Sequence, residues 1–433
     1  MDGYEPIHEP DCAISFDRTD NTITMENIKV RYVSVFPSVM NLLNTLMGAG
    51  VLGISDSFRF CGFIPSYCLL LLVASLSTVA TIMVVHLQFK FSIKSFEGMT
   101  SRVLGKTASG ILGISSTLFC IAAMTAYIII GVKTFQSWLE FGGLKIKSNS
   151  EQYKYLVLIY SICFPVALTI PRNVSFLSIF STFSIFCLWL FIVFMIYEGV
   201  LILPKQGIHH TVYLGSINSG FFNALAVYSL TFSLAIVVIP IINLSFPSRN
   251  KRSIIVGWTF FLSLLCVAIP GIIGYLIFGN EVQPVLLESF PSKSVLTIIV
   301  RACFFVVVNA SYPVIGMTVF STYSRQIFKI ENPIDVTGWK RLVMVFLVSL
   351  IPVSVAIFLP NVRPALAVGG ALGGCLGNFV FPPWIWMKSS NRKAFHWTNI
   401  LCFLFAIFGV FSAAISTYES VIDAIKQIKS PTD

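Results

Sequence analysis

Charge is scarce in this chain. Its 433 residues hold 19 acids and 29 Lys or Arg, so charged residues make up 11%, against about 25% in an ordinary soluble domain. With 56% of the residues hydrophobic, a soluble globular fold is excluded, because no such fold hides so much apolar surface. Enzyme signatures are missing too. There is no G-x-x-x-x-G-K-[ST] phosphate loop, no H-E-x-x-H pair, and no two acids facing each other within the apolar runs, which removes ATPase and intramembrane protease chemistries. Histidine is rare: His8 lies in the N-terminal segment and His209 and His210 in a loop, so no catalytic set forms and no enzyme is expected. The ten cysteines, from Cys12 to Cys402, show no C-x-x-C or Cys/His ligand spacing and read as small core residues, with no metal cofactor implied. The net charge of +10 is scattered along the chain, not clustered on one face, which excludes nucleic acid as a partner.

What is present is a series of apolar runs of about 20 residues, the length that crosses about 30 Å of hydrocarbon. They fall at 35–60, 63–87, 108–133, 155–171, 174–199, 220–245, 254–279, 294–320, 341–360, 364–387 and 397–418. These predict an all-α membrane protein of eleven transmembrane helices in which membrane lipid is the solvent. Spans 1–5 occupy 35–199, spans 6–10 occupy 220–387, span 11 is 397–418, and 35–420 forms one transmembrane unit. Residues 1–34 are polar, with Asp2, Glu5, Glu9, Asp11, Asp17 and Asp20, and predict a disordered cytosolic tail. Lys90, Lys94, Arg102 and Lys106 in one loop and Arg249, Lys251 and Arg252 in another favour a cytosolic N-terminus. Ser95 to Gly105 reads as a short amphipathic helix packed on the bundle, since Phe96, Met99 and Val103 recur at helical spacing.

The most informative stretch is 41–53, which ends Gly48-Ala49-Gly50-Val51-Leu52-Gly53. The pattern G-x-G-x-x-G binds dinucleotides only after a β-strand and ahead of an acidic residue about 20 positions on. Here it lies inside a span, and 60–86 contains no acid, so that reading fails. Two glycines one residue apart weaken a helix by about 1 kcal/mol each. A break within a bilayer is tolerated where it is buried in protein or lines a watery cavity. A broken helix presents free N–H groups at one half-helix end and free carbonyls at the other, which suits a zwitterionic solute or a cation, with Asn44 and Thr45 adding side-chain oxygens. On these residues alone, a glycine notch for helix packing also fits.

Span 6 carries Ser229, Thr231 and Ser233 near its centre and then Pro240, with no glycine between Gly220 and Pro240; such hydroxyls also bond back to the i−4 carbonyl. Span 8 holds Asn309, Ser311, Tyr312 and Pro313, either a kink or a set of oxygens for a cation. Arg301, an intramembrane cation, either snorkels to the interface or neutralises Asp56 or Glu198. Gly369, Gly373 and Gly377, with Gly370 and Gly374 beside them, read as a helix-packing stripe.

Residues 41–54 resemble the first-span signature of the amino acid/auxin permease family, N-L-x-N-x-x-x-G-x-G-x-L-G-[LI], and especially its sodium-coupled neutral amino acid transporters. Three further stretches agree in order: Gly274 to Gly279, Ser311-Tyr312-Pro313 and Pro382-Pro383. The resemblance implies a LeuT-type 5+5 inverted repeat with discontinuous spans 1 and 6, and secondary active transport of neutral amino acids by alternating access, coupled to sodium or protons. It implies substrate contacts from Thr45, Met47, Gly48, Ala49, Gly50 and Val51, faced by Thr231, Phe232 and Ser233, and a coupling ion at Asn44 and Ser311. The chain departs from the pattern at Ser55 and Asp56, where relatives often carry proline and an aromatic residue, and an Asp56–Arg59 gate pair is one consequence. An amino-acid-sensing receptor with little flux is the rival reading. The membrane, plasma or vacuolar and lysosomal, is left open.

Overall fold

The computed structural model describes residues 12–16, 23–27, 34–48, 50–93, 95–144, 146–147, 150–171, 174–215, 220–243, 245, 248–291, 294–328, 336–359, 361–390, 392–393 and 395–429. Among them, apart from one small hairpin, the regular structure is helical. Strands β1 (Cys12–Phe16) and β2 (Ile23–Asn27) pair antiparallel, Cys12 opposite Asn27 and Phe16 opposite Ile23. Those ten residues lie in the tail predicted to be disordered. Ile14 and Phe16 in one run and Ile23 and Met25 in the other are strand-prone residues.

The helices are α1 (Val35–Leu46), α2 (Gly50–Phe58), α3 (Phe63–Phe91), α4 (Phe96–Leu104), α5 (Lys106–Phe141), α6 (Glu151–Ser161), α7 (Ala167–Thr169) and α8 (Val174–Gln206). After these come α9 (Gly220–Thr231), α10 (Val238–Ile242), α11 (Arg249–Phe278), α12 (Val295–Tyr323), α13 (Trp339–Phe358), α14 (Val362–Val368), α15 (Phe381–Ser389) and α16 (Trp397–Lys429). Wider π-type turns join α6 to α7 at Ile162–Val166, where Pro165 interrupts the ladder, and α14 to α15 at Gly369–Val380. Among the described residues, eight helices are long and apolar enough to cross a membrane, with the α14–α15 run counted as one, or nine if the bent pair α1 and α2 is a single span. The remaining two predicted runs, 155–171 and 220–245, are made of shorter pieces.

Lipid is the surrounding these surfaces require. Helix α8 leaves Phe186, Val193 and Val200 exposed at seven-residue steps, one continuous apolar stripe that water would penalise. The amphipathic α4 forms where expected. Ser95 caps it by accepting from the Gly98 N–H at 3.1 Å, and Phe96 and Met99 are buried. Cys61, Cys120, Cys187, Cys266, Cys375 and Cys402 are buried core residues.

The interior is built around α5 and α9, both against the glycine-rich turns 369–380, and around α11 against α2, α3 and α8. The stripe behaves as a packing device: a Cβ at Gly370 would meet the Ala226 carbonyl, and one at Gly374 would sit 2.8 Å from the Ser229 carbonyl. Small residues let the backbones of α9 and 369–380 touch, which holds α9 rigid beside the break described next.

Candidate functional site

Helix α1 stops at Leu46 and α2 restarts at Gly50 with its axis turned by 58°. The Met47 N–H still reaches the Leu43 carbonyl at 2.8 Å and the Gly48 N–H the Leu46 carbonyl at 2.9 Å. Beyond them the first-turn N–H groups of α2, from Gly50 onward, have no intrahelical acceptors. Every residue of α2 is buried, so these donors face protein interior. Gly48 and Gly50 are needed here by close approach: a Cβ at Gly48 would overlap the Tyr127 hydroxyl of α5, and one at Gly50 the Thr231 side chain of α9, whose Cβ lies 2.9 Å away.

A second break lies opposite. Helix α9 ends at Thr231, the backbone is non-helical over 232–237, and α10 begins at Val238. The discontinuity of span 6 that the resemblance implies is therefore present without any glycine. Asn378, fully buried in the 369–380 turns, holds it open by donating from Nδ2 to the Phe232 carbonyl at 3.1 Å, with Ser77 Oγ at 3.5 Å.

Between the two breaks is a cavity of about 30 Å³ lined by Thr45, Gly48, Gly50, Thr231 and Ser233. Five of the predicted contact residues thus share one space. Thr45 and Thr231 bond back to the Asn41 and Val227 carbonyls, at 2.9 and 2.8 Å, while the buried Ser233 hydroxyl has no partner among the described residues. Met47, Val51 and Phe232 do not line the cavity; they are buried in packing, Phe232 stacked on Phe260 at 6.3 Å. Ala49 lies outside the described residues. Leu46, Phe119, Ala123, Tyr127, Leu230, Val237 and Ile315 complete the lining. Among these lining residues none is charged. The space suits water and is far smaller than an amino acid, so loading requires side chains to move.

Neither Asn44 nor Ser311 lines this cavity. Ser311, buried in α12, lies beside the Tyr127 hydroxyl, the group on which Gly48 rests. Ser311 therefore touches the break through Tyr127. Asn309, two residues earlier, accepts from the Tyr160 hydroxyl at 2.9 Å and donates to the Phe305 carbonyl at 2.7 Å, which makes it part of the scaffold.

Just past the break, Asp56 is 2% exposed and takes a two-pronged ion pair from Arg363 of α14, Nε to Oδ2 at 2.6 Å and Nη2 to Oδ1 at 2.7 Å. Arg59 adds a looser contact at 3.5 Å. Arg301 goes neither to Asp56 nor to Glu198: its Nη2 donates to the Leu287 and Phe290 carbonyls, at 2.8 and 3.2 Å. At the opposite end of the bundle, His86 is bonded through its two ring nitrogens to Ser253 and Arg249, at 2.9 and 3.1 Å, a satisfied histidine.

Residues 31–422 match the family model for transmembrane amino acid transporter proteins. The chain belongs to that family. A relative, the sodium-coupled neutral amino acid symporter 2 of Danio rerio, is 26% identical over 394 residues, covering 82% of this chain and 76% of its own. Among solved structures, MhsT in complex with L-phenylalanine is similar with a TM-score of 0.59 at 13% identity, over 90% of this chain and 99% of that one. This amino acid transporter is accordingly a multi-pass membrane protein sharing the fold of MhsT. Of its site residues, sequence reasoning missed Tyr127, Arg363 and Asn378. Each sits in a stretch with no local signature and reaches the breaks only through the fold, although Arg363, a cation between two apolar runs, carried a usable hint.

Proposed function

We propose that this transporter is a secondary active symporter that moves neutral amino acids by alternating access, with sodium as the coupling ion. The observation that carries the proposal is the cavity in which Thr45, Gly48, Gly50, Thr231 and Ser233 converge between two broken helices. A substrate carboxylate binds the free N–H groups at the start of α2, and its ammonium group the carbonyl ends of α1 and α9. The remaining surface, made of Phe119, Ala123, Leu230 and Ile315, suits an uncharged side chain. Sodium binds beside the break with oxygens from Asn44 and Ser311, and ordering of α1 by the ion favours substrate capture. The symporter relative supports the ion and the substrate class.

In this reading the chain spans the membrane eleven times, counting the interrupted runs 151–169 and 220–242 and the bent pair α1–α2 as one span each. It forms a 5+5 inverted repeat with a cytosolic N-terminus. Asp56 and Arg363 latch the first broken span to the tenth on the non-cytosolic side. The test is uptake of radiolabelled neutral amino acids into proteoliposomes under an imposed sodium gradient or an imposed proton gradient. Accumulation driven by sodium alone is expected. Saturable binding with no accumulation under either gradient would make the protein a receptor.

A further inference from the structure

A second cavity, of about 460 Å³, opens at the Asp56 end of the bundle where α8, α11 and α12 converge on residues 289–291. It shares no lining residue with the cavity at the breaks. Helix α8 contributes Glu198 and, one turn on, Ile202; Phe278 and Phe290 supply aromatic wall, and Thr297 of α12 a hydroxyl. The wall is rigid. Phe290 meets Phe278 edge-on at 5.0 Å and Phe194 at 5.0 Å, and Arg301 holds its carbonyl at 3.2 Å.

Two polar groups here are unused. Thr297 is 1% exposed and its hydroxyl has no hydrogen-bond partner among the described residues, a cost that native interiors rarely carry. Glu198 forms no ion pair among the described residues. A carboxylate beside aromatic rings with a spare hydroxyl acceptor is the chemistry that holds an ammonium group. Among the described residues, His209 lies 4.0 Å from Glu281, and Arg301 donates to the Leu287 and Phe290 carbonyls, so neither is directed at a ligand carboxylate, whereas Glu198 is open to an ammonium group. The volume lies in the range of small-molecule sites, about 300–1,000 Å³.

We propose that this cavity is a second site, separate from the transported amino acid's, that binds an organic cation: an ammonium head at Glu198 and Thr297 and an apolar body against Ile202, Phe278 and Phe290. Two sources share that chemistry, an amine-bearing lipid headgroup entering beside the exposed Val200 and Val295 and a free aromatic amine from the water.

The full chain in phosphatidylglycerol nanodiscs is exposed in turn to photoreactive phosphatidylethanolamine, photoreactive phenethylamine and photoreactive phosphatidylglycerol, and the cross-links are mapped by mass spectrometry. One or both amines label the peptides carrying Ile202 or Phe290, and which of them does identifies the source. Glu198→Gln, which keeps amino acid uptake, lowers that labelling about tenfold, the loss of one charge-assisted contact. Thr297→Val lowers it several-fold and serves if Glu198→Gln does not fold. Absence of amine labelling at these peptides, equal labelling by phosphatidylglycerol, or labelling indifferent to both substitutions overturns the site.

Discussion

Arg363 grips Asp56 across 307 residues of chain, both guanidinium contacts within 2.7 Å, and so ties the helix after the first break to the start of α14. Asp56 is buried, so removing Arg363 leaves its charge only the looser Arg59 contact at 3.5 Å, at a cost of up to roughly 3 kcal/mol. Arg363→Ala and Asp56→Asn are each expected to lower sodium-driven uptake about tenfold or more, because the closed state of the latch side is depopulated. The double variant is expected to be no worse than the worse single, since the two act as one unit. A double-mutant cycle on uptake rates checks this, and simple additivity of the two losses rejects the latch.

Much of this arrangement was legible in the sequence, for definite reasons. The first break was readable because Gly48 and Gly50 are weak helix formers in a segment that must otherwise be helical. The second was expected only from repeat logic, since Thr231, Phe232 and Ser233 carry no helix-breaking residue of their own. What opens it is tertiary: the Asn378 amide on the Phe232 carbonyl and the glycine backbone of 369–380 pressed against α9. Tyr127 escaped notice because a tyrosine in the middle of a long apolar helix has no periodic signal, and only the fold brings its hydroxyl to Gly48. Asn44 and Ser311, matched by resemblance, are not brought together by the cavity itself.

The contact between Tyr127 and Gly48 allows a rescue. Gly48→Ala forces a methyl into the tyrosine hydroxyl, an overpacking that costs about 1–3 kcal/mol, and uptake is expected to fall at least tenfold with delivery to the membrane unchanged. Tyr127→Phe removes the clashing oxygen, so Gly48→Ala in that background is expected to recover part of the loss relative to Tyr127→Phe alone. No recovery would mean that Gly48 serves backbone geometry and not the approach of α5. Gly50→Ala has no such remedy, because its methyl meets the Thr231 Cβ at 2.9 Å as well as the hydroxyl, and is expected to abolish uptake outright.

Ser311 bears on the ion. If its oxygen belongs to a sodium site coupled to the break through Tyr127, Ser311→Ala raises the sodium concentration for half-maximal uptake about tenfold, the loss of one ligand to a charge. The amino acid KM at saturating sodium then changes little. Uptake measured against sodium at fixed substrate, and against substrate at fixed sodium, separates the two. A raised substrate KM with unaltered sodium dependence would reassign Ser311 to packing of the Tyr127 hydroxyl.

Asn378 tests whether the second break is held from outside. Its Nδ2 donates to the Phe232 carbonyl at 3.1 Å in a stretch with no helical ladder to take over, and the site is fully buried. Asn378→Leu keeps the branched skeleton but leaves that carbonyl only the Leu234 N–H at 3.0 Å, the loss of one buried hydrogen bond at about 1 kcal/mol. The backbone at 232–237 then gains by coiling into α9, which would satisfy the carbonyl internally and move Ser233 away from the cavity. The expected result is a raised substrate KM, with a loss of thermal stability smaller than the penalty implies because the rewound helix recovers part of it. A drop in melting temperature with unchanged KM would show that Asn378 merely stabilises the bundle, and that the break in span 6 is set by the local residues.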